Sequence, residues 1–122
     1  MTQQDFKYDK GKLRASLIFD DFPDAMEEII RVADMGASKY EAHSWRTVPN
    51  AEERYRDALT RHFLASFKGV QDEESGLDHL AHMAWGCMAL MELRITREKE
   101  DKDENISCCE PDAHTGSVDS GF

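Results

Sequence analysis

Residues 75 to 95 read SGLDHLAHMAWGCMALMELRI, and the spacing of the apolar residues in this stretch decides the fold. Leu77, Ala81, Ala84, Met88, Met91 and Ile95 recur at intervals of three, four and seven, the mark of one helical face. His79, Met83, Gly86, Leu90 and Leu93 form a second stripe beside the first. Two stripes would bury about two-thirds of the surface of the helix, so it is expected at the centre of a bundle. Ser75 followed by Asp78 matches a capping box that would open it.

The preceding sequence supplies the helices to pack against it. Pro23 suits the first turn of a helix whose Phe22, Met26, Ile29 and Ala33 share a face, and Gly36 suits its end. Asn50 with Glu53 is a second capping-box pattern, opening a helix to Gly69 on which Tyr55, Leu59, Phe63 and Phe67 recur at helical spacing. Between them, residues 37 to 49 form a loop rich in large polar-tipped side chains, among them Lys39, Tyr40, His43, Trp45 and Arg46. Residues 1 to 20 are expected to be an extended arm docking through Leu17, Ile18 and Phe19. The expectation is an all-α protein: a compact helical bundle over residues 1–96 with an N-terminal arm, and a disordered acidic C-terminal tail over residues 97–122.

Charge narrows the partners. The 122-residue chain carries a net charge of −10, half of it on residues 97 to 122, where Arg97, Lys99 and Lys102 face eight acidic residues. A body this acidic excludes long nucleic acid as a partner. Local cations such as Lys10, Lys12, Arg14, Lys39 and Arg46 still allow recognition of one small polyanion. The polar N-terminus and the lack of any run of about 18 apolar residues exclude an export signal and a membrane span. Three cysteines, two of them adjacent, make no disulfide framework and fit a reducing cytoplasm.

Asp72, Glu74, Asp78, His79 and His82 crowd the start of the central helix. Carboxylates and imidazoles are the side chains that bind divalent metals, and His79, His82 and Asp78 stand at spacings that share a face. Asp78 has a structural alternative as the partner of Ser75 in a cap. A histidine on an apolar face has another, as a hydrogen-bonded core residue, but three of them (His62, His79 and His82) converging with acids favour a site. Glu28 flanks the buried face of the first helix and is a further candidate ligand.

Taken in order, five motifs resemble a phage-encoded family. They are Lys7-Tyr8-Asp9-Lys10-Gly11-Lys12-Leu13-Arg14, Gly36-Ala37-Ser38-Lys39-Tyr40 with Trp45-Arg46, Arg61-His62, Asp72-Glu73-Glu74-Ser75-Gly76-Leu77, and His79-Leu80-Ala81-His82. The family is that of the dATP/dGTP diphosphohydrolases, related to MazG-type nucleotide pyrophosphohydrolases and including the MazZ type. Ser44 and Val70 depart from the family pattern, standing where an Asn and an acidic residue are expected.

The resemblance implies an all-α, homo-oligomeric (dimeric or tetrameric) enzyme of the host cytoplasm, using two or more Mg²⁺ or Mn²⁺ ions. Its reaction would cleave dGTP or dATP to the monophosphate and pyrophosphate. On that reading Asp72, Glu74 and Asp78 are the first candidates for metal ligands, followed by His79, His82 and Glu28. Glu74, Asp78 and His79 are the candidate catalytic groups. Lys12, Lys39 and Arg46 would balance phosphate charge, Tyr40 or Trp45 would stack on the base, and Arg61 and His62 complete the substrate contacts. The rival reading is a non-catalytic helical binding or assembly module in which the same histidines and acids are structural.

Overall fold

The computed structural model describes residues 10–108 of the chain. Every regular element among them is helical: α1 (Ser16–Phe19), α2 (Pro23–Lys39), a 3-10 turn (Ser44–Thr47), α3 (Ala51–Ser66) and α4 (His79–Cys108). The all-α bundle expected from the periodicity is formed, with α4 as the helix on which both α2 and α3 pack.

α3 and α4 run antiparallel. His62 meets His79, Leu59 lies against Gly86, Tyr55 packs edge-on to Trp85 at 5.4 Å, and Glu52 pairs with Arg97, so contacts climb α4 as they descend α3. Gly86 permits the close approach, because a Cβ there would stand 3.3 Å from Leu59 Cδ1. His79, Ala81, Gly86 and Ala89 are the buried positions of α4. The inward face thus combines His79 and Gly86 of the second stripe with Ala81 of the first and Ala89 between them. Met88, Met91 and Ile95 of the first remain 38–50% exposed. The reason is steric: where two helix backbones come close, small residues form the contact and the long side chains turn aside.

Several boundaries differ from those read in the sequence. α2 does not end at Gly36, which has no left-handed φ, but continues to Lys39, whose charge suits the last turn of a helix. Asn50 precedes α3 as expected, yet it adopts φ 56° and ψ 43° and its side chain makes no cap hydrogen bond. A capping box needs the extended backbone that presents the side chain to the N3 amide, so the Asn50–Glu53 box is not formed. In the arm, residues 16–19 form a helical turn in place of an extended segment, closed by bonds such as Leu17 N–H to the Arg14 carbonyl at 3.0 Å.

The largest difference is at the C-terminal side. α4 continues through residue 97 to Cys108, so the first part of the expected tail is helical. Its Arg, Lys and Glu residues are good helix formers, and Arg94–Glu98 and Arg97–Glu52 ion pairs support it. Apolar periodicity cannot report a helix whose faces are all charged. Residues 109–122, and Lys7, Tyr8 and Asp9 of the N-terminal motif, lie outside the described residues. Among the described residues no helix is long and apolar enough to cross a membrane.

Candidate active site

The site is built on the loop between α3 and α4. Asp72 N–H donates to the Leu77 carbonyl (2.8 Å) and His79 N–H to that of Val70 (2.9 Å), so Gln71 and Asp78 pair as an isolated antiparallel bridge. Between them Asp72 Oδ2 accepts the N–H groups of Glu74 (3.1 Å) and Ser75 (2.9 Å), an Asx turn. Gly76 then reverses the chain at φ 74°, where a side chain would be strained, and its N–H donates to the Asp72 carbonyl at 2.7 Å. The sequence Asp-Glu-Glu-Ser-Gly thus folds locally into a tight loop, and one oxygen of Asp72 is used to hold it.

Asp78 caps α4, but not as the partner of Ser75. It is itself the cap: its Oδ1 accepts Leu80 N–H at 2.8 Å and its carbonyl accepts Ala81 and His82 N–H. Ser75 is freed for two other contacts, its Oγ accepting Leu77 N–H at 3.1 Å and lying 2.8 Å from His82 Nε2.

Three imidazoles meet behind this loop. His62, in the last turns of α3, places its Nδ1 3.0 Å from Nδ1 of His79, which is 6% exposed at the start of α4. The His82 ring stacks on that of His62, centroids 4.1 Å apart and planes within 3°. His62 Nδ1 also lies 3.9 Å from Asp72 Oδ1, the oxygen not occupied by the Asx turn. Partial burial, reinforced by the neighbouring imidazoles, holds His62 below the ordinary histidine value; burial likewise lowers His82. Burial works to raise Asp72, yet hydrogen bonds from Ser75 and the nearby histidines outweigh it and hold the carboxyl below its usual range.

Donor atoms of His62, Asp72 and His79 all lie within 4.8 Å of one another, which makes these three residues the metal-competent group among those described. Two nitrogens and one oxygen suit first-row transition ions, Mn²⁺ being the weakest of them. They do not suit Mg²⁺, which demands oxygen ligands in near-ideal octahedral geometry.

The other expected site residues are distributed around the group. Glu74 turns outward to Lys39, Oε2 to Nζ at 3.1 Å, which ties the end of α2 to the Asp72 loop. This contact, with the coulombic pull of the same carboxylate, raises the Lys39 pKa. Tyr40 follows and is 69% exposed. Trp45 is enclosed by Tyr55, whose hydroxyl donates to its carbonyl at 2.6 Å, and by the edge of Trp85. Arg46 covers Trp45 at 4.7 Å and lies 3.7 Å from Glu92. Glu28 accepts from Arg31, which also binds Glu27. Lys12 and Arg61 are exposed. His82 belongs to the ring stack and pairs with Ser75.

Sequence reasoning grouped His62 with substrate contacts, whereas here it stands among the metal-type donors. Its signal was present: one heptad after Tyr55, it faces the same helix as that residue. Ser75, Tyr55 and Trp85 were not singled out for the site, and only their place on the inward faces could have found them.

A family model described as dATP/dGTP diphosphohydrolase, N-terminal, matches residues 2–103. The chain is also 38% identical over 96 residues to the dATP/dGTP diphosphohydrolase of Salmonella phage PMBT28, an alignment covering 78% of this chain and 31% of that protein. The chain thus spans about a third of the length of this curated relative. A search of solved structures finds no match.

Proposed function

The chain belongs to the dATP/dGTP diphosphohydrolase family, and from that premise we propose that it hydrolyses dGTP or dATP to the monophosphate and pyrophosphate with the help of divalent metal, in control of a phage nucleotide pool. The observation that carries this reading is the loop 70–78, which offers metal-type donors on its inner side through Asp72 and an anion-binding cation on its outer side through the Lys39–Glu74 pair.

A divalent ion at His62, Asp72 and His79 would neutralise phosphate oxygens and acidify water. The chain's own residues then supply positioning and proton transfer. A triphosphate entering beside Lys39 exchanges the Glu74 carboxylate for phosphate oxygen as the partner of the ammonium. Released from Lys39, the Glu74 carboxylate is free to accept a proton from the attacking water. The water oxygen bonds to the α-phosphorus, the bond to the bridging oxygen breaks, and pyrophosphate leaves with its new charge balanced by Lys39, Lys12 and Arg46. Tyr40, exposed next to Lys39, is the better placed ring for the purine, since Trp45 is already covered by Arg46.

Self-association forms part of the proposal. Among the described residues only Val32, Ala81 and Ala89 are buried apolar side chains, and Met88, Met91 and Ile95 lie half-exposed along α4. So small a core leaves apolar surface for further copies of the chain to cover, in a dimer or tetramer. The same exposed face is what favours the assembly-module reading.

Phosphate release from dGTP and dATP, coupled to a pyrophosphatase and run with Mg²⁺ or Mn²⁺, tests the activity. Turnover abolished by Glu74→Gln is the expected result. No turnover with either nucleotide and either ion, in a folded protein that still self-associates, would leave assembly as the function.

A further inference from the structure

We propose that His62, His79 and Asp72 form a resident site for one imidazole-preferring transition ion, of the Zn²⁺, Co²⁺ or Fe²⁺ class, filled before nucleotide arrives and distinct from any Mg²⁺ that the triphosphate brings. This deepens the functional reading above, in which these residues hold a divalent ion, by assigning the class of the ion and the order of binding.

The spacing of the donors carries the argument. Metal–imidazole bonds of about 2.0–2.1 Å put two ligating nitrogens about 2.9 Å apart at a right angle and about 3.3 Å apart at the tetrahedral angle. The Nδ1 atoms of His62 and His79 are 3.0 Å apart, within that interval. A single hydrogen bond between the two rings would account for the same distance, but it gives no role to the Asp72 oxygen that faces them. Asp72 Oδ1 stands 3.9 Å from His62 Nδ1, too far to hydrogen-bond, and an inward movement of roughly 0.5 Å would bring it to the separation of two ligands on one ion.

The support around the donors is of the kind that metal sites use. Asp72 is fixed by two backbone N–H groups on its other oxygen, so Oδ1 is aimed before any ion binds. The His62 ring is fixed by the parallel His82 ring, which Ser75 Oγ holds in turn. His79 is fixed by burial. The three ligands come from α3, the loop and the first turn of α4, so an ion would join three elements. With two neutral nitrogens and one carboxylate, the order of affinity follows imidazole preference, which places Mg²⁺ last.

Equilibrium dialysis of the full chain against Co²⁺ and Zn²⁺ without nucleotide, with visible absorption of the Co²⁺ form, tests the site. A Cys87→Ser/Cys108→Ser/Cys109→Ser background removes binding by thiolates. About one ion per chain is expected, not displaced by roughly a hundredfold excess of Mg²⁺. Asp72→Asn keeps the Asx turn but loses the anionic ligand, and with His62→Gln it should weaken binding at least about tenfold. The proposal is overturned by no binding, by displacement at equal Mg²⁺, or by binding unchanged in both variants. Phosphate release measured on the same samples separates the two readings. Ion binding without turnover defeats the hydrolase and leaves the site, whereas Mg²⁺-supported turnover without Co²⁺ binding does the reverse.

Discussion

His62 Nδ1 and His79 Nδ1 stand 3.0 Å apart, although one lies in the last turns of α3 and the other opens α4. The contact closes the end of the helix pair opposite the Glu52–Arg97 ion pair. His79→Ala removes the buried partner of His62 and leaves a cavity, with an expected loss of about 1–3 kcal/mol. Urea unfolding of the metal-free protein measures it, and His79→Gln should recover part of the loss. Equal stability of His79→Ala and the parent would mean that the pair does not hold the helices.

The histidine group makes stability depend on pH. His62 and His82 are held below the ordinary value of 6.5, so the unfolded chain takes up protons at these rings before the folded chain does. Their contribution is complete above pH 6.5 and is lost as the pH falls from there through the depressed folded values. Melting temperature without metal should be level from about pH 8 to 7 and decline towards about pH 5. His82→Asn should make that decline shallower. An unchanged slope in the variant would remove His82 as a cause.

Asp72 has two oxygens with two roles, and two substitutions separate them. Asp72→Asn retains an acceptor for Glu74 and Ser75 N–H, so stability should change by less than about 0.5 kcal/mol. Asp72→Ala leaves both amides unpaired and should cost about 1–2 kcal/mol. Both should abolish metal-supported turnover. Chemical denaturation alongside the phosphate assay reads both, and equal stabilities would show that the Asx turn does not depend on the side chain.

The exposed Lys39–Glu74 pair should matter to substrate and little to the fold. Lys39→Met is expected to raise KM for the nucleotide about tenfold or more while leaving the melting temperature unchanged. A fall in melting temperature with KM unaltered would make the pair a structural tie instead.

At Gly86 the backbones of α3 and α4 approach too closely for bulk. Gly86→Leu forces Leu59 aside and should destabilise by about 1–3 kcal/mol, seen in the urea midpoint. Combining it with Leu59→Ala should recover stability, and failure to do so would place the strain elsewhere.

These residues also show what sequence could reveal. The apolar spacing from Leu77 to Leu93 was enough to place α4 at the centre, because burial of a helix face writes itself into a three-to-four-residue period. It could not tell which residues faced inward, since that depends on Gly86 admitting Leu59 of α3, a property of two helices together. The charged residues after Arg97 hid a helix because solvated helices have no apolar signal. Asp78 was legible as a cap residue, but its place in the turn depended on Ser75 being drawn to His82, a side chain seven residues away. His62 was separated from His79 by a loop whose reversal at Gly76 no spacing rule describes.

The long α4 has a consequence for motion. Its 30 residues span about 45 Å, against about 24 Å for the 16 of α3, and Arg97 already meets Glu52 in the first turn of α3. The segment from residue 98 to 108 is therefore shorter than a helix that survives alone in water, and it persists because its first turns are propagated from a packed helix. It should not open as one unit. Amide protons there should exchange in a graded series, slowest next to Arg97 and faster with distance from it, so this part of α4 opens continuously and carries no cooperative transition of its own.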